Sequence, residues 1–218
     1  MQENRLKAKG IFLDLDGTLV DSTDTYLKAA EIAFKAIGKL PPAGNVALEI
    51  PRRVEQRLPL DDLTEGRTKR FMPIYLGAYY ALTETKSKLL PNVCQTLRAL
   101  SNRHKLALIT MRHVPNHVVQ KELDYLGISK FFTYIVTGLD TPKPKPSPEA
   151  LIKCVEALDV DMVDCIIAGD SVNDIRAGKA AGAKTVAVLS GLFLREELAA
   201  ESPDLILPDV TSLPDYVE

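Results

Sequence analysis

Two aspartates, Asp14 and Asp16, follow the apolar run Ile11-Phe12-Leu13 and precede Gly17-Thr18. An ionised carboxylate inside a buried strand is very costly unless a partner or a metal balances it. At the carboxyl end of a central strand, however, it faces the crevice where α/β proteins bind ligands. Period two puts both side chains on one side of the strand, so the pair could hold a divalent cation through oxygen ligands while one carboxylate stays free to attack. The plainer account of the same residues is a strand closed by an Asp-Gly turn. A second segment, Cys165-Ile-Ile-Ala-Gly169-Asp170-Ser171-Val-Asn-Asp174, also ends an apolar run in a carboxylate and leads into a helix. Asp170 would then lie on the same sheet edge as Asp14, and a hard cation such as Mg2+ is the simplest compensation for carboxylates gathered there. Asp174, one helical turn further on, could ligate that cation or orient a water bound to it, or could only cap the helix.

Thr110 closes the run Lys105-Leu-Ala-Leu-Ile, where a hydroxyl can donate to a phosphate oxygen, although threonine is also an ordinary strand residue. Arg112 and His113, which follow, could reach a ligand there, but solvated loop residues are the plainer reading. In Thr141-Pro-Lys143-Pro-Lys145-Pro-Ser147-Pro two lysines sit in a stiff loop leading to a helix near Pro148. The restricted backbone lowers the entropy of aiming an ammonium at a phosphate, and one lysine suffices, but local chemistry does not choose between the two. Arg52, Arg53, Arg57, Arg67, Lys69 and Arg70 could meet an anionic substrate, but they are interleaved with Glu55, Asp61, Asp62 and Glu65, the pattern of a solvated helical surface. Pro115 between His113 and His117 spoils a helical metal pair, so both histidines are expected at the surface. Cys94, Cys154 and Cys165 are odd in number, lack CxxC spacing and lie in apolar stretches, where reduced thiols pack as small hydrophobes.

The elements that must position these residues follow from periodicity. Short aliphatic runs at Lys9–Asp14, Lys105–Thr110, Tyr134–Thr137, Cys165–Ala168, Lys184–Val188 and Leu205–Leu207 read as strands. Helical stretches over Pro91–Ser101, Asn116–Leu126, Pro148–Leu158 and Asp174–Ala181 alternate with them, which predicts a doubly wound parallel α/β sheet. About ninety residues separate the first two strands, far more than one crossover requires. Helical stretches at Tyr26–Ile37, Arg52–Leu58 and Thr68–Lys86 fill that gap, so a small α-helical cap over 22–88 is expected, inserted into a core of 1–21 and 89–218. The chain's 218 residues are enough for one large domain or two small ones. A formal net charge of −2 gives no whole-chain attraction for nucleic acid or an acidic membrane. The polar start Met1-Gln-Glu-Asn-Arg-Leu-Lys, and the lack of any apolar run near the ~20 residues that span a bilayer, lead us to expect a cytoplasmic protein with no membrane partner.

Taken together, Asp14-Leu-Asp16-Gly-Thr-Leu-Val-Asp-Ser22, Leu108-Ile-Thr110, Lys-Pro-x-Pro and Gly169-Asp170-Ser-x-x-Asp174 occur in order, and the chain resembles the haloacid dehalogenase-like (HAD) phosphohydrolases, particularly their phosphoglycolate-phosphatase-like members. The resemblance implies a Rossmann-like core and a Mg2+-dependent phosphatase acting on a small-molecule phosphate ester, as a monomer or homodimer. It implies Asp14 as the nucleophile that forms an aspartyl-phosphate and Asp16 as general acid and then base. Thr110 and Lys145 would bind the substrate phosphate and Met111 would lie at its rim, where many relatives carry Asn. The metal would fall to Asp14, Asp16 through its main-chain carbonyl, Asp170 and Asp174. The family's usual spacing of lysine to the last aspartate motif favours Lys145 over Lys143. A sugar phosphomutase shares all four motifs and is the alternative enzyme. A phospho-Asp signalling module fits less well, because a switch that retains its phosphoryl group needs neither Asp16 nor a cap.

Overall fold

The computed structural model of the chain describes residues 5–218; Met1–Asn4, which begin the expected core segment and the polar start, lie outside the described residues. The aliphatic runs form β1 (Gly10–Leu13), β2 (Val20–Asp21), β3 (Lys88–Leu89), β4 (Lys105–Ile109), β5 (Tyr134–Val136), β6 (Cys165–Gly169), β7 (Lys184–Val188) and β8 (Leu205–Leu207). Six of them make one parallel sheet in the order β5-β4-β1-β6-β7-β8, and β2 pairs with β3 as a separate ribbon. The helices are α1 (Thr23–Ala36), α2 (Gly44–Ala47), α3 (Glu49–Glu55), α4 (Asp61–Thr64), α5 (Thr68–Lys86), α6 (Val93–Ser101), α7 (Asn116–Tyr125), α8 (Glu149–Leu158), α9 (Val172–Ala181), α10 (Arg195–Ala200) and α11 (Leu213–Tyr216).

The chain divides into two compact units, one of 1–21 with 89–218 and one of Ser22–Lys88. In the larger unit the connections β1→β4→β5 run one way along the sheet and β6→β7→β8 the other. Because crossovers between parallel strands are right-handed, the two runs place their helices on opposite faces, which is the doubly wound arrangement the sequence predicts. Alternation within the strands serves both faces. Phe12, Ala107, Ile109 and Ile167 pack with Leu151, Cys154 and Leu158 of α8, while their neighbours Ile11, Leu13, Leu106, Leu108 and Ile166 are buried as well. Strands buried on both faces explain why these segments read as continuous apolar runs. The direction of winding reverses between β1 and β6, and a crevice opens at such a point beyond the carboxyl ends of the strands.

The smaller unit is built on α1 and α5, which run antiparallel: Tyr26 stacks on Tyr79 with centroids 5.0 Å apart, and Phe34 meets Phe71 at 4.8 Å. Ala29, Ala30 and Ala33 are fully buried and let the helices approach closely. Arg67 and Arg70 reach back to the carbonyls of Ile37 and Ala36 at 2.7 and 3.0 Å and satisfy the open end of α1. Arg57, Arg67, Lys69 and Arg70 are exposed as expected, whereas Arg52 and Arg53 are half-buried in pairs with Glu49 and Asp62, each at 2.6 Å.

Some boundaries differ from expectation. β1, β4 and β5 end one residue early, at Leu13, Ile109 and Val136, yet Asp14 and Thr110 still donate ladder hydrogen bonds to Ala168 and Val136 at 3.0 and 2.9 Å. Helix α9 starts at Val172 rather than Asp174, because Ser171 accepts the N–H of Asn173 at 3.0 Å as N-cap. The short α10 and α11 and the β2–β3 ribbon have too few residues to show a period. Cys154 and Cys165 are buried and reduced within the sheet core, and His113 and His117 are exposed, as expected. Among the described residues no helix is long and apolar enough to cross a membrane.

Helix α9 lies unusually close to the sheet at Gly178, where a Cβ would come within 2.5 Å of the Cγ2 atoms of both Ile167 and Thr185. Gly178→Ala should therefore lower stability by about 1–2 kcal/mol despite alanine's better helix propensity. Urea denaturation checks this, and an unchanged midpoint would show that α9 can lift from the sheet freely.

Candidate active site

Asp14 and Asp170 stand just past β1 and β6, the two strands that flank the switch point, and both are buried. Gly17, at φ +77, turns the chain back immediately after Asp16, and its N–H donates to the Val20 carbonyl at 2.9 Å. Thr18 Oγ1 donates to Asp170 Oδ1 at 3.2 Å and the Leu192 N–H donates to Oδ2 at 3.3 Å. The segment after β7 is tied down in turn by Ser190, whose hydroxyl donates to the Gly17 carbonyl at 2.7 Å. Gly191 lies so close that a Cβ there would meet Asp170 Oδ2 at 1.7 Å. Asp170 is thus fixed between two glycine-bearing turns, from β1 and from β7.

Asp174, the third residue of α9, has two duties. One oxygen accepts the Ser171 N–H at 3.2 Å and completes a reciprocal cap; the other accepts Lys145 Nζ at 2.5 Å. Asp174 therefore caps the helix and also belongs to the buried cluster. Lys145 is only 2% exposed and also donates to Asp14 Oδ1 at 2.7 Å and to the Ile109 carbonyl at 3.4 Å. Lys143 is exposed, and its backbone N–H donates to Glu149 at 3.1 Å. The loop geometry brings Lys145 into the cluster and leaves Lys143 outside.

One oxygen from each of Asp14, Asp170 and Asp174 lies within 4.8 Å of the others. Three carboxylates against the single ammonium of Lys145 leave two negative charges in a buried site, and the donors are all hard oxygens. That charge and donor set fits a divalent cation such as Mg2+. Burial drives the Asp14 carboxyl well above its ordinary range; Lys145 opposes the shift, and Asp174 and Asp16 add to it. Burial pulls the Lys145 ammonium down, but Asp14 and Asp174 more than offset this and keep it charged, with its pKa above the ordinary lysine range.

The carboxylate of Asp16 stands apart from that trio. Arg112 grips it with two parallel bonds, Nε to Oδ2 and Nη2 to Oδ1, both 2.7 Å. Arg112, expected in solvent, is instead 5% exposed, because Glu122 on α7 holds the far side of its guanidinium through Nη1 and, at 3.3 Å, Nη2. The sequence did carry a signal for this: Glu122 occupies a position on the buried stripe of α7 between Val119 and Leu123, and a charge there demands a buried partner. Thr110 is buried beside the cluster, with its Oγ1 accepting the Arg112 N–H at 3.2 Å. Met111 is half-buried, its sulfur 3.9 Å from Asn173 Nδ2. Thr18, Glu122 and Gly191 were not singled out from sequence, and the last two come from segments distant in the chain.

A profile of the haloacid dehalogenase-like hydrolases matches residues 11–188. The chain is 32% identical over 217 residues to phosphoglycolate phosphatase 1 of Pseudomonas aeruginosa, covering 93% of this chain and 77% of that one. It is 30% identical over 231 residues to phosphoglycolate phosphatase of Escherichia coli K12, covering 94% and 90%. A solved haloacid dehalogenase-like hydrolase from Streptococcus pneumoniae has the same fold, with a TM-score of 0.79 at 24% identity over 96% of this chain and 98% of that one. The chain belongs to the haloacid dehalogenase-like hydrolases, as a phosphoglycolate-phosphatase-like member. It is a phosphatase.

Two outcomes follow from the geometry. Gly191→Ala should push Asp170 out of place and reduce activity roughly 10- to 100-fold with little change in melting temperature, which steady-state assays and thermal denaturation would show together; full activity would mean that Asp170 tolerates displacement. Because the folded-state pKa of Asp14 is raised, its ionised form opposes folding at neutral pH, and that penalty disappears below the ordinary carboxylate range. Metal-free Asp14→Asn should thus melt above wild type near neutral pH, with the difference closing toward about pH 4; a variant that melts lower across that range would contradict this.

Proposed function

We propose that this phosphatase hydrolyses a small phosphomonoester of the phosphoglycolate kind, in the cytoplasm, through an aspartyl-phosphate formed on Asp14, with Mg2+ as cofactor. The observation that carries the reading is the convergence of Asp14, Asp170 and Asp174 at the switch point of the sheet, with Lys145 bonded to the first and the last. The substrate class comes from the phosphoglycolate phosphatases to which the chain is similar along nearly its whole length. Mg2+ would be held by the carboxylates of Asp14, Asp170 and Asp174 with the main-chain carbonyl of Asp16, and when bound it supplies charge stabilisation to the transferring phosphoryl group.

The chain's own residues divide the remaining work. A carboxylate oxygen of Asp14 attacks phosphorus as the bond to the ester oxygen breaks, and Asp16 gives its proton to the departing alkoxide. Asp16, now ionised, takes a proton from a water that attacks phosphorus, so that inorganic phosphate leaves and the Asp14 carboxylate is restored. Lys145, held charged by Asp14 and Asp174 in spite of its burial, faces the negative charge that develops on the phosphoryl oxygens. The Thr110 hydroxyl accepts a backbone N–H and so has its own proton to direct at one of those oxygens. Met111 sets the apolar rim beside it. The helical unit, residues 22–88, takes the part of the cap that selects the substrate and excludes water.

The test is phosphate release from a panel that includes phosphoglycolate, sugar phosphates and nucleotides, with Mg2+ and after its removal by a chelator. We expect release that needs Mg2+, is greatest for a short anionic phosphomonoester and is abolished in Asp14→Asn. An isomeric sugar phosphate as product, in place of inorganic phosphate, would favour the mutase reading; release that survives in Asp14→Asn would overturn the aspartyl-phosphate route.

A further inference from the structure

The phosphatase reading gives Asp16 a proton to donate, yet both oxygens of its carboxylate are engaged by Arg112. A group gripped in this way must be let go before it can reach a leaving group. The residue that decides how easily it is let go is Glu122. A buried guanidinium with one carboxylate partner would hold that partner tightly, since losing it would leave a cation uncompensated in a dry environment. Arg112 meets carboxylates on two edges of its guanidinium, Asp16 with a side chain 15% exposed and Glu122 with one 2% exposed. Glu122 belongs to the ordered, buried face of α7, between Val119 and Leu123. Asp16 sits in the turn beyond β1, at the crevice side. If one carboxylate moves, it is Asp16, and Arg112 then keeps Glu122 as its counter-charge.

We infer that Glu122 is a positioning residue that acts through Arg112: the buried Glu122–Arg112 pair forms a releasable clamp that parks the Asp16 carboxylate in one orientation and lets it swing to the substrate. This rests on the phosphatase reading of the site. The backbone N–H of Arg112 also bonds the Thr110 hydroxyl at 3.2 Å, so the same residue links the proposed phosphate-binding group to the proposed acid. The two forks make Arg112 unsuited to replacement by lysine, which offers a point charge without the parallel geometry.

The inference concerns delivery of a proton, so it is tested by varying the leaving group. An alkyl phosphate needs that proton, whereas p-nitrophenyl phosphate expels a stable phenolate without it. In the Mg2+-loaded full-length protein, Glu122→Gln should slow turnover of the alkyl ester about tenfold or more, with KM nearly unchanged. The pre-steady-state burst of nitrophenolate should fall by less than about threefold, since phosphorylation of Asp14 then proceeds without the acid. Because an unpaired buried charge can unfold a protein, Arg112→Met/Glu122→Met is made alongside, replacing the whole pair by apolar groups. We expect the double variant to regain the wild-type melting temperature while alkyl-ester turnover stays low. Equal slowing of both esters in Glu122→Gln, or recovery of turnover together with stability in the double variant, would overturn the inference and leave Glu122 as packing. Failure of the wild-type protein to hydrolyse either ester would instead overturn the phosphatase reading, and the inference with it.

Discussion

Two buried carboxylates share the buried ammonium of Lys145, a third lies beside them, and the larger unit is arranged to make that tolerable. Asp14, Asp170 and Asp174 reach the cluster from β1, the end of β6 and the start of α9, while Lys145 enters from the stiff loop before α8. No single element could assemble the group. Parallel strands that end together at a switch point bring two of the carboxylates side by side, and the helix that follows β6 supplies the third one turn later. Excess negative charge is what the proposed binding of a cation and a transferring phosphoryl group would offset. It is also why the surrounding backbone is so closely fitted, with glycine at 17 and 191 against Asp170.

A second, separate charge system lies beside the first. Asp16 is only two residues from Asp14, yet it belongs to the Arg112–Glu122 network and not to the Lys145 cluster. The division follows from the sharp turn at Gly17 and from the placing of Arg112 two residues after Thr110. Neighbouring aspartates thereby experience different surroundings, one desolvated among carboxylates and one held by a guanidinium, and different surroundings are what the proposed division into nucleophile and proton carrier requires.

How far the sequence disclosed this depends on the kind of signal. Asp14 and Asp170 were legible because each terminates an apolar run, and a carboxylate there has few explanations. The six sheet strands were legible for the same reason, to within a residue at their ends. Lys145 was distinguishable from Lys143 only through family spacing, since both have proline on either side and only the folded loop shows which one turns inward. Arg112 was misread because a loop arginine is ordinarily solvated; its burial depends on Glu122, ten residues away, and neither residue alone reveals the pairing. Gly191 carried no signal at all, because its role is to leave space for a residue from another strand.

Asp174 binds Lys145 with one oxygen and closes the first turn of α9 with the other. A residue answerable to both chemistry and folding is under a different evolutionary constraint from one answerable to chemistry alone. If descendants of this chain abandoned catalysis, Asp14, the proposed nucleophile, would be released from selection at once, whereas Ser171 and Asp174 would still be retained for the helix they begin. A relative that keeps Gly-Asp-Ser-x-x-Asp intact is therefore not certified as an enzyme by that motif, and the first strand is the place to look for the loss.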